Sequence, residues 1–92
     1  MEVNFYATLR AIIGIKTVTV PLGDNTSAIQ LVNQVTQQYP SLRDELLDAE
    51  NRFHRHMKLF INGREVVYLP DEFDTIIKPT DKIDIFPPVG GG

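Results

Sequence analysis

A chain of 92 residues with 42% hydrophobic and 23% charged content has room for one small domain around one modest core. A net charge of −3 lacks the clustered basic charge that nucleic-acid binding requires. The absence of cysteine excludes a disulfide framework, a thiolate nucleophile and thiolate metal ligands.

Met1-Glu2-Val3-Asn4 carries neither a basic n-region nor an apolar h-region, and no apolar run is long enough to span a bilayer. The expected location is therefore the cytoplasm, with no membrane partner. Val3, Phe5, Ala7 and Leu9 alternate with Glu2, Asn4, Tyr6 and Thr8, which predicts a half-buried strand over 2–9. Gly14 breaks the pattern, and Lys16 to Leu22 reads as a second strand with Val18 and Val20 on one face, completing a hairpin.

Pro21, Gly23, Asp24 and Asn25 mark a turn. Ser27 followed by Gln30 fits a capping box, and Ala28, Leu31, Val32, Val35 and Tyr39 share one helical face. Pro40 ends this main helix. Ser41 with Asp44 predicts a second cap, opening a short helical turn from Leu42 to Leu47. Asp48 to His56 is polar and mixed in charge and reads as an exposed loop.

Met57, Leu59 and Ile61 predict another strand. Asn62-Gly63 supplies the positive φ angles of a tight turn, and Val66-Val67-Tyr68 reads as the returning strand. Pro70 to Pro79 is a predicted loop, pinned to the core by Phe73, Ile76 and Ile77. Ile83 and Ile85 make the final strand, expected in the centre of the sheet. The order β-β-α-β-β predicts an α+β domain: a mixed sheet of four to five strands with one main helix across it, the ubiquitin-like β-grasp plan.

The chain closes on Pro87-Pro88-Val89-Gly90-Gly91-Gly92. Glycines add nothing to a core and lose the most backbone entropy on ordering. The expected division is a β-grasp domain over 1–86 and a flexible diglycine tail over 87–92. Two prolines stiffen the base of the tail, and fully extended it reaches roughly 20 Å. A free α-carboxylate on such a lead suits chemistry carried out by another enzyme. An inert frayed terminus or a cloning remnant is the alternative.

Specific residues then carry a resemblance. The opening Val3-Asn4-Phe5-Tyr6-Ala7-Thr8-Leu9-Arg10 with Gly14, the hairpin Phe60-Ile61-Asn62-Gly63-Arg64-Glu65-Val66, and the ending Ile85-Phe86-Pro87-Pro88-Val89-Gly90-Gly91-Gly92 resemble the small sulfur-carrier subunits of molybdopterin synthase. The Phe-Pro-Pro-Val neck with a terminal diglycine is the specific part. Ala11, where that family often has an acidic residue, and the long 48–56 segment depart from the pattern.

The resemblance implies that an adenylating enzyme related to the ubiquitin-activating enzymes uses ATP to form an acyl-adenylate on Gly92. A sulfur donor then displaces AMP and leaves a thiocarboxylate. It also implies a large catalytic synthase subunit as partner, in a heterotetramer, on which the sulfur passes to a pterin precursor of the molybdenum or tungsten cofactor. Catalytic side chains are expected on the partners, and no cofactor is expected to be bound here. Gly91 and Gly90 would thread the partner's channel.

Phe86 is opposite in phase to Ile83 and Ile85 and is expected to point away from the core, for docking with Pro87, Pro88 and Val89 or for packing on the sheet. Phe60 and Arg10 are further candidate contacts. A sulfur carrier for thiamin thiazole synthesis, a modifier joined to target lysines through Gly92, and an interaction module with an inert tail are the other readings.

His54-Arg55-His56 places two imidazoles two residues apart but without the further ligands of a zinc site, so it reads as a basic edge with Arg52 and Lys58. Asp44-Glu45 and Asp71-Glu72 read as caps and solvated charge, not as an acid–base pair.

Overall fold

Val3 and Phe5 near one end of the chain and Ile83 and Ile85 near the other form the centre of one sheet. In the computed structural model, which describes residues 1–88, strand β1 (Glu2–Phe5) runs parallel to β5 (Ile83–Phe86), with Val3 opposite Ile83 and Phe5 opposite Ile85. Strands β2 (Thr17–Thr19), β3 (Lys58–Ile61) and β4 (Arg64–Glu65) complete a mixed sheet in the order β2-β1-β5-β3-β4. The final strand is therefore central, as expected.

Helix α2 (Ala28–Gln38) lays Ala28, Leu31, Val32 and Val35 into the core shared with Val3, Phe5, Leu59, Ile61, Ile83 and Ile85. Full burial stabilises such a side chain by roughly 1.5–3 kcal/mol relative to exposure. The predicted capping box is formed: Gln30 N donates to Ser27 Oγ at 3.3 Å, and Ser27 N donates to Gln30 Oε1 at 2.9 Å.

The predicted strand over 2–9 stops at Phe5, and helix α1 (Ala7–Ile13) follows. Ala7 turns the chain with a φ of 53°, and Gly14, at φ 78°, closes the helix by donating its N–H to Arg10 O. Phe5 and Leu9 are four residues apart, an interval that fits both a strand face and a helical face, so alternation alone misassigned the segment. β1 and β2 remain antiparallel neighbours, but a helix joins them in place of a short turn.

β2 is also shorter than the predicted 16–22, although Val18 and Val20 are both buried. Its edge is protected where Gln38 Nε2 donates to Thr19 O at 2.9 Å. Ser41 caps nothing. A 3-10 turn over Pro40–Leu42 runs directly into α3 (Arg43–Leu46), because proline at the first helical position presets φ before Ser41 is reached.

The returning strand is Arg64–Glu65, not 66–68. Val66–Tyr68 forms a 3-10 turn in which Val66 alone is buried, and a short apolar run does not distinguish the two forms. The 48–56 segment is less exposed than expected, since half-buried Phe53 packs against Phe73 with ring centres 4.9 Å apart and planes tilted by 35°. In the 70–79 loop Ile77 is buried and Phe73 half-buried, whereas Ile76 is 48% exposed and contributes only a backbone bridge to Ser27.

The Asn62-Gly63 turn has the expected positive φ angles, 53° and 82°. Asn62 also ties this turn to the approach to β5. Its Nδ2 donates to Asp81 Oδ1 and its Oδ1 accepts from Lys82 N, each at 2.8 Å. Asn62→Gly keeps the backbone angle and loses the side-chain bonds, whereas Asn62→Ala loses both. Urea denaturation should therefore show a loss of about 1 kcal/mol for Asn62→Gly and about 2 kcal/mol for Asn62→Ala.

Candidate functional site

The residues of β5 alternate between two environments. Ile83 and Ile85 face the core, and Asp84 and Phe86 face the opposite side of the sheet, where strand register brings distant residues beside them. Across that outer face, Thr17, Asn4, Asp84, Phe60 and Glu65 follow one another from strand to strand. Phe86 pairs with Lys58 in the same way.

Phe86 points away from the core, as its phase predicts, but it is not a free aromatic. Its ring stacks on Tyr6 at 4.2 Å and 9°, and Phe60 meets it edge-on at 5.4 Å. Lys16 Nζ lies 5.1 Å from the centre of the Tyr6 ring, within cation–π range. The three rings form a half-buried platform at the point where β5 hands over to Pro87 and Pro88.

Asp84 anchors this platform. It is only 6% exposed, and its Oδ1 accepts from Tyr6 OH at 2.7 Å and from Asn4 Nδ2 at 3.1 Å. Lys82 Nζ lies 3.9 Å from its other oxygen. Thr17 Oγ1 donates to Asn4 Oδ1 at 2.7 Å, extending the chain of bonds to β2. The hydrogen bond to Asp84 raises the Tyr6 pKa above 10.0, and burial and the carboxylate charge act in the same direction.

Of the predicted contact residues, Phe60, Phe86 and Pro87 are thus gathered around one end of the sheet, with Pro88 exposed beyond them. Arg10 is exposed on α1. Val89, Gly90, Gly91 and Gly92 lie outside the described residues. Tyr6, Asn4 and Asp84 escaped the sequence reading. The signal available was an acid inside an apolar strand, in phase with Phe86.

The expected basic edge around His54 and His56 is largely paired. Arg52 bonds Glu50 at 2.6 Å, and Lys58 lies 3.6 Å from Glu65. The two imidazole rings are 5.4 Å apart, and among the described residues no group of three or more His, Cys, Asp or Glu is placed to hold a metal. Among the described residues no helix is long and apolar enough to cross a membrane.

Comparison with known proteins places this geometry. The ThiS family pattern matches residues 3–92. The chain belongs to the ThiS family of ubiquitin-like sulfur carriers. It is 30% identical to small archaeal modifier protein 3 of Haloferax volcanii, with 100% of this chain and 98% of that protein covered. It is 27% identical to the molybdopterin synthase sulfur carrier subunit of Homo sapiens, covering 100% of this chain and 93% of the human protein. The crystal structure of SAMP1 from Haloferax volcanii superposes with a TM-score of 0.89 at 22% identity, covering 100% and 98% of the two chains. The fold is the ubiquitin-like β-grasp.

Because the Tyr6 pKa is raised on folding, the stabilisation from its phenol is complete below pH 10.0 and is lost as pH rises through the folded-state value. Tyr6→Phe should therefore cost about 1 kcal/mol in urea denaturation at neutral pH. The difference from wild type should shrink once the medium is more alkaline than the raised value.

Proposed function

We propose that this protein is the sulfur-carrying small subunit of a molybdopterin synthase and that its reacting group is the α-carboxyl of Gly92. A carboxylate with a pKa near about 3.5 is ionised at neutral pH and is a poor electrophile. A carboxylate oxygen of Gly92 attacks the α-phosphorus of ATP on a partner adenylating enzyme, releasing pyrophosphate and forming an acyl-adenylate. Sulfide-level sulfur from a donor then attacks the acyl carbon and expels AMP, leaving a thiocarboxylate. Its sulfur passes to a pterin precursor on the large synthase subunit, and water restores the carboxylate.

The observation that carries this reading is the position of β5. The central strand ends at an aromatic platform and leads through Pro87 and Pro88 toward the glycine segment. The full-length similarity to the human carrier subunit supports the same assignment. Gly91 and Gly92 have no Cβ, which suits passage through a narrow channel and close approach to nucleotide phosphates. Phe86, Phe60, Pro87, Pro88 and Val89 serve as the docking neck, with Arg10 as a further contact.

The similarity to an archaeal modifier favours a second reading, in which Gly92 is joined to lysines of target proteins. Both readings begin with adenylation and diverge afterwards. Isopeptide-linked conjugates would favour the modifier, and a stable free thiocarboxylate the carrier.

Intact mass should be measured after incubation with the cognate adenylating enzyme, ATP and a sulfur donor. A gain equal to replacing one oxygen by sulfur, abolished by deleting Gly92, is expected. No gain with a competent enzyme would remove the carrier reading. Gly92→Val places a branched side chain beside the carbon under attack and should block activation with unchanged thermal stability, whereas Gly90→Ala should lose little.

A further inference from the structure

Asp84 is a buried carboxylate for which the sulfur-transfer chemistry has no use. A buried charge is costly unless it is paired and hydrogen-bonded, and a central strand has apolar alternatives for this position. Of its partners Tyr6 leads toward the neck, Asn4 ties the carboxylate to β2 through Thr17, and Lys82 lies 3.9 Å from its other oxygen. The 2.7 Å bond from Tyr6 sets the tilt of a phenol ring that lies 4.2 Å from the Phe86 ring and only 9° from parallel. Asn4, at 3.1 Å and itself held by Thr17, occupies the rest of the same oxygen.

We propose that Asp84 and Tyr6 are positioning residues for the carrier tail: the carboxylate locks the phenol, and the phenol locks Phe86 against Phe60, so that the neck leaves the sheet in one direction. This rests on the carrier reading above. Pro87 and Pro88 transmit the constraint, because proline fixes φ near about −65° and supplies no amide hydrogen to an alternative turn. A preset exit direction lowers the entropy lost when the tail enters a partner's channel.

The proposal assigns an energetic role to atoms that touch neither ATP nor sulfur. It also separates two functions of Tyr6, whose ring forms part of the platform and whose hydroxyl orients that ring. Removing the hydroxyl alone therefore tests the orientation without removing the surface.

The test uses the full chain with its cognate adenylating enzyme. The initial rate of adenylation is measured against carrier concentration for wild type, Tyr6→Phe, Asp84→Ala and Asp84→Asn, well below each melting temperature. Tyr6→Phe and Asp84→Ala should raise the half-saturating carrier concentration roughly three- to tenfold, the range of an ordinary net hydrogen-bond contribution. Asp84→Asn keeps an acceptor for the phenol and should fall between wild type and Asp84→Ala.

In parallel, the Phe86 ring-proton resonances, shifted by the stacked phenol in wild type, should move toward unstacked values in Asp84→Ala. A merely structural role would lower the melting temperature and leave the half-saturating concentration unchanged. Unchanged kinetics in Tyr6→Phe would overturn the proposal even if the ring resonances move. If wild type itself is not adenylated, the carrier reading fails. The ring resonances then decide separately whether Asp84 orients the neck, and unchanged resonances in Asp84→Ala would reject that too.

Discussion

The parallel pairing of β1 with β5 is the constraint on which the rest of the molecule depends. It joins Val3 to Ile83 and Phe5 to Ile85, and it places the last strand between β1 and β3. Side chains alternate along a strand, so a slip of one residue would carry Ile83 and Ile85 to the outer face and Asp84 and Phe86 into the core. The contact between α2 and the sheet, the aromatic platform and the departure point of the neck all follow from this one register.

The two faces of β5 then take on different work. The inner face meets Leu31, Val32 and Val35 of α2 within a continuous apolar core. The outer face carries a buried carboxylate whose bonds run to Tyr6 and Asn4. Burial strengthens such bonds by lowering the local dielectric, and it also makes an unsatisfied member costly. A platform held in this way is fixed at its base.

Local strain occurs where the chain must turn sharply to build these surfaces. Ala7, at φ 53°, opens α1 directly after Tyr6, and the helix brings Leu9 into the core. Non-glycine residues adopt this region at a cost of roughly 1–2 kcal/mol, which the burial of Leu9 offsets. Asn62 pays less for the same angle and adds side-chain bonds to the loop that precedes β5.

By itself the sequence determined the phases of β1, β3 and β5, the Ser27–Gln30 capping box and the Asn62-Gly63 turn, because each is set by residues within a few positions of one another. It also carried the family likeness in the Phe-Pro-Pro-Val neck. Tertiary structure alone decided that 7–13 is helical, since Phe5 and Leu9 fit either period and only the position of the core separates them. It alone decided that Val66–Tyr68 leaves the sheet. It alone assembled Tyr6, Asp84 and Phe86 into one unit. Tyr6 and Asp84 are 78 residues apart, and no local pattern links a phenol after the first strand to an acid in the last until parallel pairing brings them to 2.7 Å.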